Sequence, residues 1–216
     1  MENNEQVEKI LNLYYTFTSL KEVNRTGWRY WCVEGMPIES IADHTYGAIM
    51  LALSIYANTD LKLDINKVVM MLALHETEEI YIGDLTPFDK KARLTKAEDG
   101  KKAVERVFKH ADKKQYFLDI IAEFEAKSSP EAKFAHQIDK LEADLQALKY
   151  EGHFNLEKVN PNILNDERIV EIRNSKNTNK VSDYFLYSDM HIYSGIVLDI
   201  ANYVLKNSTT IKTDLE

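Results

Sequence analysis

Residues that break helices are rare in this chain. Only seven Gly and four Pro stand among 216 residues, whereas a sheet protein of this length needs many tight turns. Apolar residues instead recur at intervals of three and four along most segments, which is the spacing of one face of an α-helix. These features predict an all-α fold, a single bundle of about eight helices.

The composition is that of an ordinary globular protein. Hydrophobic residues make up 44% and charged residues 29% of the chain, which distinguishes it from a disordered chain. We expect one domain over residues 1–207 and a flexible tail over residues 208–216.

Charge and cysteine content exclude several classes of protein. The net charge of −8 argues against a protein that binds a nucleic acid polymer, although a metal or a few cations can still bind a small anion. The single cysteine, Cys32, excludes an internal disulfide and predicts a reducing compartment. The first ten residues are polar and acidic, and no apolar run approaches the ~20 residues that span a bilayer. We therefore expect a soluble, cytoplasmic protein with no membrane partner.

The most apolar segment of the chain is Val68–Leu74, with the sequence VVMMLAL. A segment that is apolar on all sides is typical of a buried central helix. A central strand is the alternative, but Met, Leu and Ala favour a helix. We predict a helix over Ile65–Ile82 with Asp64 as its N-cap, followed by a loop over Gly83–Lys91. Ser128-Ser129-Pro130 predicts another helix start.

A histidine and an acidic run follow the apolar segment, in the sequence His75-Glu76-Thr77-Glu78-Glu79. On a helix His75 and Glu79 share a face, and Glu76 lies about 100° round the axis. Imidazole with carboxylate forms half of a metal site. A solvated acidic helix end is the alternative, but Glu near a helix C-terminus opposes the helix dipole.

His44 and Asp139 are weaker candidates when each is taken alone. His44 is compatible with a core histidine, and Asp139 with a surface Asp–Lys pair. Together with His75 and Glu76 they make four N/O ligands, which suit Mn, Fe, Co, Zn or Mg. Such a cation would lower the pKa of a water molecule and stabilise charge on a phosphoryl group. Glu79 would be placed to act as general base or acid.

The order of these elements resembles that of the HD-domain phosphohydrolases, and within them the 5′-deoxynucleotidase branch. The resemblance covers roughly residues 7–151, and little is recognisable beyond residue 155. No single element is specific, but the combination is. The matching segments are Arg25–Trp28, Glu39–His44, His75–Pro87, Gln137–Glu142 and Gln146–Glu151.

The resemblance implies a divalent cation held by His44, His75, Glu76 and Asp139. The family's signature pair is His-Asp, whereas this chain has His75-Glu76. Because Glu is one methylene longer, coordination can survive with the carboxylate swung or bidentate. The change bears on metal preference and rate, and it leaves open a subfamily with another substrate.

The resemblance also implies two catalytic residues. Glu79 would be the acid/base that handles the attacking water or the leaving 5′-oxygen. Arg25 would bind the substrate phosphate, orient it and stabilise its oxygens.

Further substrate contacts follow from the same resemblance. Trp28 would pack on the nucleotide. Asp84 would lie near the sugar 3′-hydroxyl or, with Glu79, help to hold a second cation. Thr86 and Pro87 would shape that wall of the site.

The activity implied is a metal-dependent 5′-deoxynucleotidase that converts deoxyribonucleoside 5′-monophosphates to deoxynucleoside and phosphate, in a helical and typically dimeric protein. A hydrolase of a dNTP, cyclic nucleotide or alarmone on the same scaffold is the first alternative. The few cations available, Arg25, Arg29, Lys90 and Lys140, favour a monophosphate. The second alternative is a non-catalytic HD module that binds a ligand or a partner, with Glu76 as a mark of decay. The presence of His44, His75, Glu79 and Asp139 argues against this alternative.

Overall fold

A computed structural model describes residues 2–86 and 95–207 of the chain. Within these two ranges the backbone forms helices, turns and isolated bridges but no β-strand, which confirms the predicted all-α fold. A short helix over Thr26–Tyr30 also forms where no helix was predicted. In chain order the elements are α1 (Glu2–Thr18), a 3-10 turn (Ser19–Lys21), α2 (Thr26–Tyr30), α3 (Ile41–Ala57), α4 (Ile65–Leu74), α5 (Glu79–Ile82), α6 (Lys96–Val107), α7 (Lys114–Ala126), α8 (Pro130–Lys149), α9 (Pro161–Leu164), α10 (Glu167–Lys176), α11 (Val181–Asp189) and α12 (Gly195–Asn207).

The chain divides into two compact units, each described here by itself. The first unit contains Met1–Thr26 and Ile38–His136, and the second contains Gly27–Pro37 and Gln137–Glu216. The single domain over residues 1–207 stays a prediction. The proposed tail, residues 208–216, lies outside the described residues.

In the first unit, capped helices carry the core. Ser40 and Asp43 form a capping box at the start of α3, which satisfies backbone N–H groups that the first helical turn leaves without partners. Asp64 accepts hydrogen bonds from the N–H groups of Asn66 and Lys67, so its predicted role as the N-cap of α4 is confirmed. Val68, Met71 and Leu72 are fully buried, whereas Ala73 is exposed, so the prediction that this apolar helix is buried on all sides is only partly confirmed.

The predicted helix over Ile65–Ile82 is wrong in its middle, because α4 ends at Leu74 and residues 75–78 form turns. Side chains take two carbonyls of the last turn: His75 Nδ1 donates to Leu72 O at 2.7 Å, and Thr77 Oγ1 donates to Leu74 O at 2.6 Å. Such bonds compete with the regular backbone ladder. The N–H of Thr77 instead donates three residues back, to Leu74 O, at 3.0 Å. The i, i+4 spacing of His75 and Glu79 therefore belongs to a tightened turn rather than to one regular helix.

The second unit has its own aromatic and aliphatic core. Trp31 is buried and its ring contacts those of Tyr184 and Phe185. The apolar residues around it come from the segments 159–172 and 181–184. Both tryptophans of the chain lie within this unit and are buried.

No helix in the described ranges is both long enough and apolar enough to cross a membrane. The cytoplasmic location stays a prediction.

Candidate metal centre

Two histidines of the first unit point their Nε2 atoms toward one another. His44 lies on α3 and is fully buried, and His75 follows the last residue of α4. Their Nε2 atoms are 3.3 Å apart. Because Leu72 O can only accept a hydrogen bond, Nδ1 of His75 carries the proton and its Nε2 carries the lone pair that a metal binds.

The carboxylate of Glu76 joins this pair. Its Oε1 lies 3.5 Å from His75 Nε2 and 3.8 Å from His44 Nε2. Donor atoms that each lie about 2.1 Å from a shared ion are about 3.0–3.5 Å from one another. The three donor atoms need only small shifts to reach that spacing, and two imidazoles with a carboxylate suit a divalent transition metal. These residues therefore fit the predicted cation, and the side chain of Glu is long enough to reach it.

Asp139, the fourth predicted ligand, lies on α8 within the second unit. Asp139 is buried, and Lys140 Nζ is 3.0 Å from Asp139 Oδ2. The predicted pair of Asp139 and Lys140 is present, but the Asp139 carboxylate is buried and does not lie on the surface. Asp139 as a metal ligand stays a prediction.

Arg25 lies between two carboxylates of the first unit. Its Nε is 3.6 Å from Glu39 Oε1, and its Nη1 is 3.6 Å from Glu76 Oε1. The backbone N–H of Arg25 also donates to Glu39 O at 3.0 Å. The guanidinium is therefore held beside the carboxylate of the candidate metal centre, where it can reach an anion that binds there. Sequence reasoning treated Glu39 only as part of a matching segment and missed this contact.

Glu79 is a buried acid beside the same carboxylate. It is 3% exposed, and its Oε2 has no hydrogen-bond partner among the residues that the structure describes. Burial, helped by the charges of Glu76 and Asp84, raises the pKa of Glu79 to about 10, although Arg25 and Lys96 oppose the shift. At that pKa the carboxyl is protonated near pH 7 and can donate a proton.

The predicted wall of the site is described only in part. Asp84 Oδ2 accepts a hydrogen bond from the backbone N–H of Thr26, the first residue of α2, at 2.5 Å. Thr86 is buried. Pro87 and Lys90 lie outside the described residues. Asp84 thus has a structural contact, and its role toward a sugar hydroxyl or a second cation stays a prediction.

Trp28 lies in the core of the second unit. It is 2% exposed, and its ring centroid is 5.2 Å from those of both Tyr150 and Phe185. These ring contacts account for much of its buried surface. The observation favours a structural role, and a contact between Trp28 and a nucleotide stays a prediction.

One cation near the candidate centre was not predicted. Lys96, on α6, has its Nζ 3.3 Å from Glu78 Oε1. Its sequence context, T-K-A-E-D-G-K-K, is that of a solvated helix face, so no local signal distinguishes Lys96 from Lys101 or Lys102.

Known proteins show the same architecture and sequence pattern. The HD domain family model matches residues 17–180. The chain belongs to the HD domain family. That assignment confirms the resemblance drawn from the five sequence segments.

Curated relatives of this HD domain carry one enzyme name. The chain is 33% identical over 135 residues to the 5′-deoxynucleotidase HDDC2 of Mus musculus, a match that covers 61% of this chain and 65% of that protein. It is 32% identical over 145 residues to the 5′-deoxynucleotidase hdd1 of Schizosaccharomyces pombe, covering 64% and 71%. The chain therefore spans slightly less than two thirds of the mouse protein.

A solved structure shares the fold over nearly the whole HD domain. A protein described as a predicted metal-dependent phosphohydrolase from Magnetospirillum magnetotacticum MS-1 superposes with a TM-score of 0.66. The match covers 94% of this chain and 92% of that one at 20% identity.

Proposed function

We propose that this HD domain is a metal-dependent phosphohydrolase that removes phosphate from deoxyribonucleoside 5′-monophosphates. The observation that carries the proposal is the convergence of His44 Nε2, His75 Nε2 and Glu76 Oε1 within 3.3–3.8 Å of one another. The choice of substrate is supported by the name shared by the curated relatives, 5′-deoxynucleotidase.

The proposed cation is held by the two histidines, Glu76 and Asp139. Asp139 is supported by its burial and by its place in the matched family segment. When bound, the cation supplies positive charge to the phosphoryl oxygens and lowers the pKa of a water molecule. The donor set accepts Mn, Co, Mg, Fe or Zn.

Glu79 moves the proton in the proposed reaction. It is a buried carboxyl with a raised pKa, three residues from Glu76. The negative charge of Glu76 contributes to that shift, so a cation at Glu76 would bring the pKa of Glu79 closer to neutrality, where a general acid/base works best. Glu79 then takes a proton from the attacking water or gives one to the leaving 5′-oxygen.

Arg25 orients the phosphate. Its guanidinium is already fixed by Glu39 and Glu76, so little side-chain freedom is lost when it binds phosphate oxygens. Asp84, Thr86, Pro87 and Trp28 complete the proposed substrate set. Asp84 with Glu79 is the proposed place for a second cation.

The test is phosphate release from 5′-deoxynucleotides, with the matching ribonucleotides, 3′-nucleotides and dNTPs as comparison substrates. The protein is first stripped with a chelator and then restored with Mn, Co, Mg, Fe or Zn. Metal-dependent release confined to 5′-deoxynucleotides is the expected result. Turnover of triphosphates or other phosphoesters instead would contradict the proposed substrate. No turnover with metal bound would contradict the activity and favour the binding module.

We also propose that the protein is a homodimer. One face of α1 leaves Val7, Ile10, Leu11 and Tyr14 about half exposed, with the spacing of an amphipathic helix that has a partner. Light scattering during size-exclusion chromatography should give twice the 25.0 kDa chain mass. Ile10→Glu should give the monomer, while Asn12→Glu, on another side of α1, should not. A wild-type monomer would contradict the proposal.

A further inference from the structure

The segment that carries the candidate metal carboxylate lacks the support of a regular helix. Residues 75–78 are turns, and the N–H groups of Thr77 and Glu79 each donate only three residues back. The directions of the side chains in this segment therefore depend on what each one contacts. Glu76 contacts His75 and Arg25, while Glu78 points to α6.

The Glu78 side chain lies against one face of α6. Lys96 Nζ is 3.3 Å from its Oε1. One helical turn further along α6, a Cβ added to Gly100 would overlap Glu78 Oε2 and would lie 3.0 Å from its Cδ. Gly is, apart from Pro, the least favourable residue in a helix interior, and at this position its lack of a side chain leaves room for the Glu78 carboxylate.

A second contact ties the same elements together. The Arg106 guanidinium lies 4.0 Å from the centre of the Tyr81 ring, a cation–π contact between α6 and α5. Together with the contacts between Glu78 and α6, this contact holds both ends of the 78–81 stretch against α6. Glu79, the proposed acid/base, lies between them.

We propose that Lys96 and Gly100 are positioning residues that act through Glu78 to hold the carboxylates of Glu76 and Glu79 in place for the metal and the reaction. The inference rests on the proposed function, because it concerns the same site. Neither Lys96 nor Gly100 needs to touch substrate or metal.

The charges of the first unit agree with this arrangement. Burial raises the pKa of Glu78 despite the nearby Lys96 ammonium. Burial lowers the pKa of Lys96, but the negative charges of nearby acids, Glu78 first among them, outweigh it and raise the pKa of Lys96. Lys96 is therefore charged at neutral pH and balances a crowded group of acids.

The experiment measures Mn²⁺ affinity by calorimetry, kcat and KM for a 5′-deoxynucleotide, and the melting temperature of the metal-free protein. Lys96→Gln and Gly100→Ala should weaken Mn²⁺ affinity or kcat by about 10–100-fold, the usual effect of losing a group that orients a metal ligand. KM should change little. Lys96→Arg should restore most of the loss, and Lys101→Gln, which removes an exposed charge from the same helix, should behave as wild type.

A double-mutant cycle tests whether Gly100 acts through Glu78. In the Glu78→Ala background the carboxylate is gone, so adding Gly100→Ala should cause no further loss. An equal loss in both backgrounds would overturn the inference. So would wild-type Mn²⁺ affinity and kcat in both Lys96→Gln and Gly100→Ala, or a loss confined to the melting temperature. If Gly100→Ala does not fold, the Lys96→Gln and Lys96→Arg pair decides.

The Mn²⁺ measurement also separates the two proposals. A wild-type protein that binds Mn²⁺ but hydrolyses no 5′-deoxynucleotide would overturn the proposed function, while the variants would still show whether Lys96 and Gly100 position the ligands.

Discussion

Arg25 and Glu76 form an ion pair, with Nη1 3.6 Å from Oε1. The pair joins the residue proposed to hold the phosphate to a residue proposed to hold the cation. Glu39 holds the same guanidinium from the other side. A phosphate bound here would meet a cation and a guanidinium whose relative position is set by one shared carboxylate.

Arg25→Lys should lower kcat/KM by about 10–100-fold, because a lysine cannot contact Glu39, Glu76 and a phosphate with one planar group. The measurement is steady-state kinetics with a 5′-deoxynucleotide. Arg29→Lys is the matched control, since Arg29 is exposed on α2. Equal kinetics for Arg25→Lys and wild type would contradict the proposed contact between Arg25 and the phosphate.

Glu79→Gln should lower kcat by about 10²–10⁴-fold, the range for losing a general acid/base. Mn²⁺ affinity should stay near that of wild type, because the amide keeps the shape of the side chain. Glu98→Gln, at an exposed acid of α6, controls for the replacement of a glutamate by its amide away from the site. Full activity in Glu79→Gln would exclude the proposed role.

Glu76→Gln should weaken Mn²⁺ binding by at least about 100-fold, since even groups that only orient a ligand change affinity by 10–100-fold. Glu76→Asp restores the family's signature pair and should bind Mn²⁺ within about tenfold of wild type. Calorimetric titration of the chelator-treated protein measures both. If Glu76→Gln binds as tightly as wild type, Glu76 is not a ligand.

Asp144→Asn should make the protein more stable at neutral and alkaline pH. Asp144 is fully buried on α8, and burial raises its pKa well above the usual range. The folded pKa is therefore higher than the unfolded pKa of about 3.9, so wild type loses stability as pH rises above about 4, by up to about 1.4 kcal/mol per pH unit. The amide has no such loss and can still accept the hydrogen bond that the Tyr193 hydroxyl gives Asp144 Oδ2 at 2.6 Å.

Urea unfolding at several pH values between 4 and 9 checks this prediction. The difference in unfolding free energy between Asp144→Asn and wild type should be small near pH 4 and should grow with pH. Asp199→Asn, at an exposed position of α12, should show no such trend. A constant difference across the range would mean that Asp144 is ionised in the folded protein as it is in the unfolded chain.

The sequence allowed good predictions where local chemistry decides the outcome. Asp64 caps α4 as predicted, and Ser129 Oγ accepts from the N–H of Ala132 just inside α8. The residues His75 and Glu76 were found from one apolar segment followed by an acidic run, and His44 joins them in the structure.

Predictions failed where contacts between distant residues decide. The helix through His75 is interrupted by side-chain bonds to Leu72 and Leu74 carbonyls, which periodicity does not register. Lys96 and Gly100 lie about twenty residues from Glu78 in the sequence. The role proposed for these two residues depends on how α6 packs beside residues 75–79, and no local sequence pattern encodes that packing.

The hydrogen bond from His75 to Leu72 O has a consequence for the metal site as a whole. Leu72 is a fully buried residue of the most apolar helix, so the direction of the His75 imidazole is set by a backbone carbonyl of the hydrophobic core. A cation bound as proposed would therefore meet an imidazole that is already oriented and that presents its Nε2 atom.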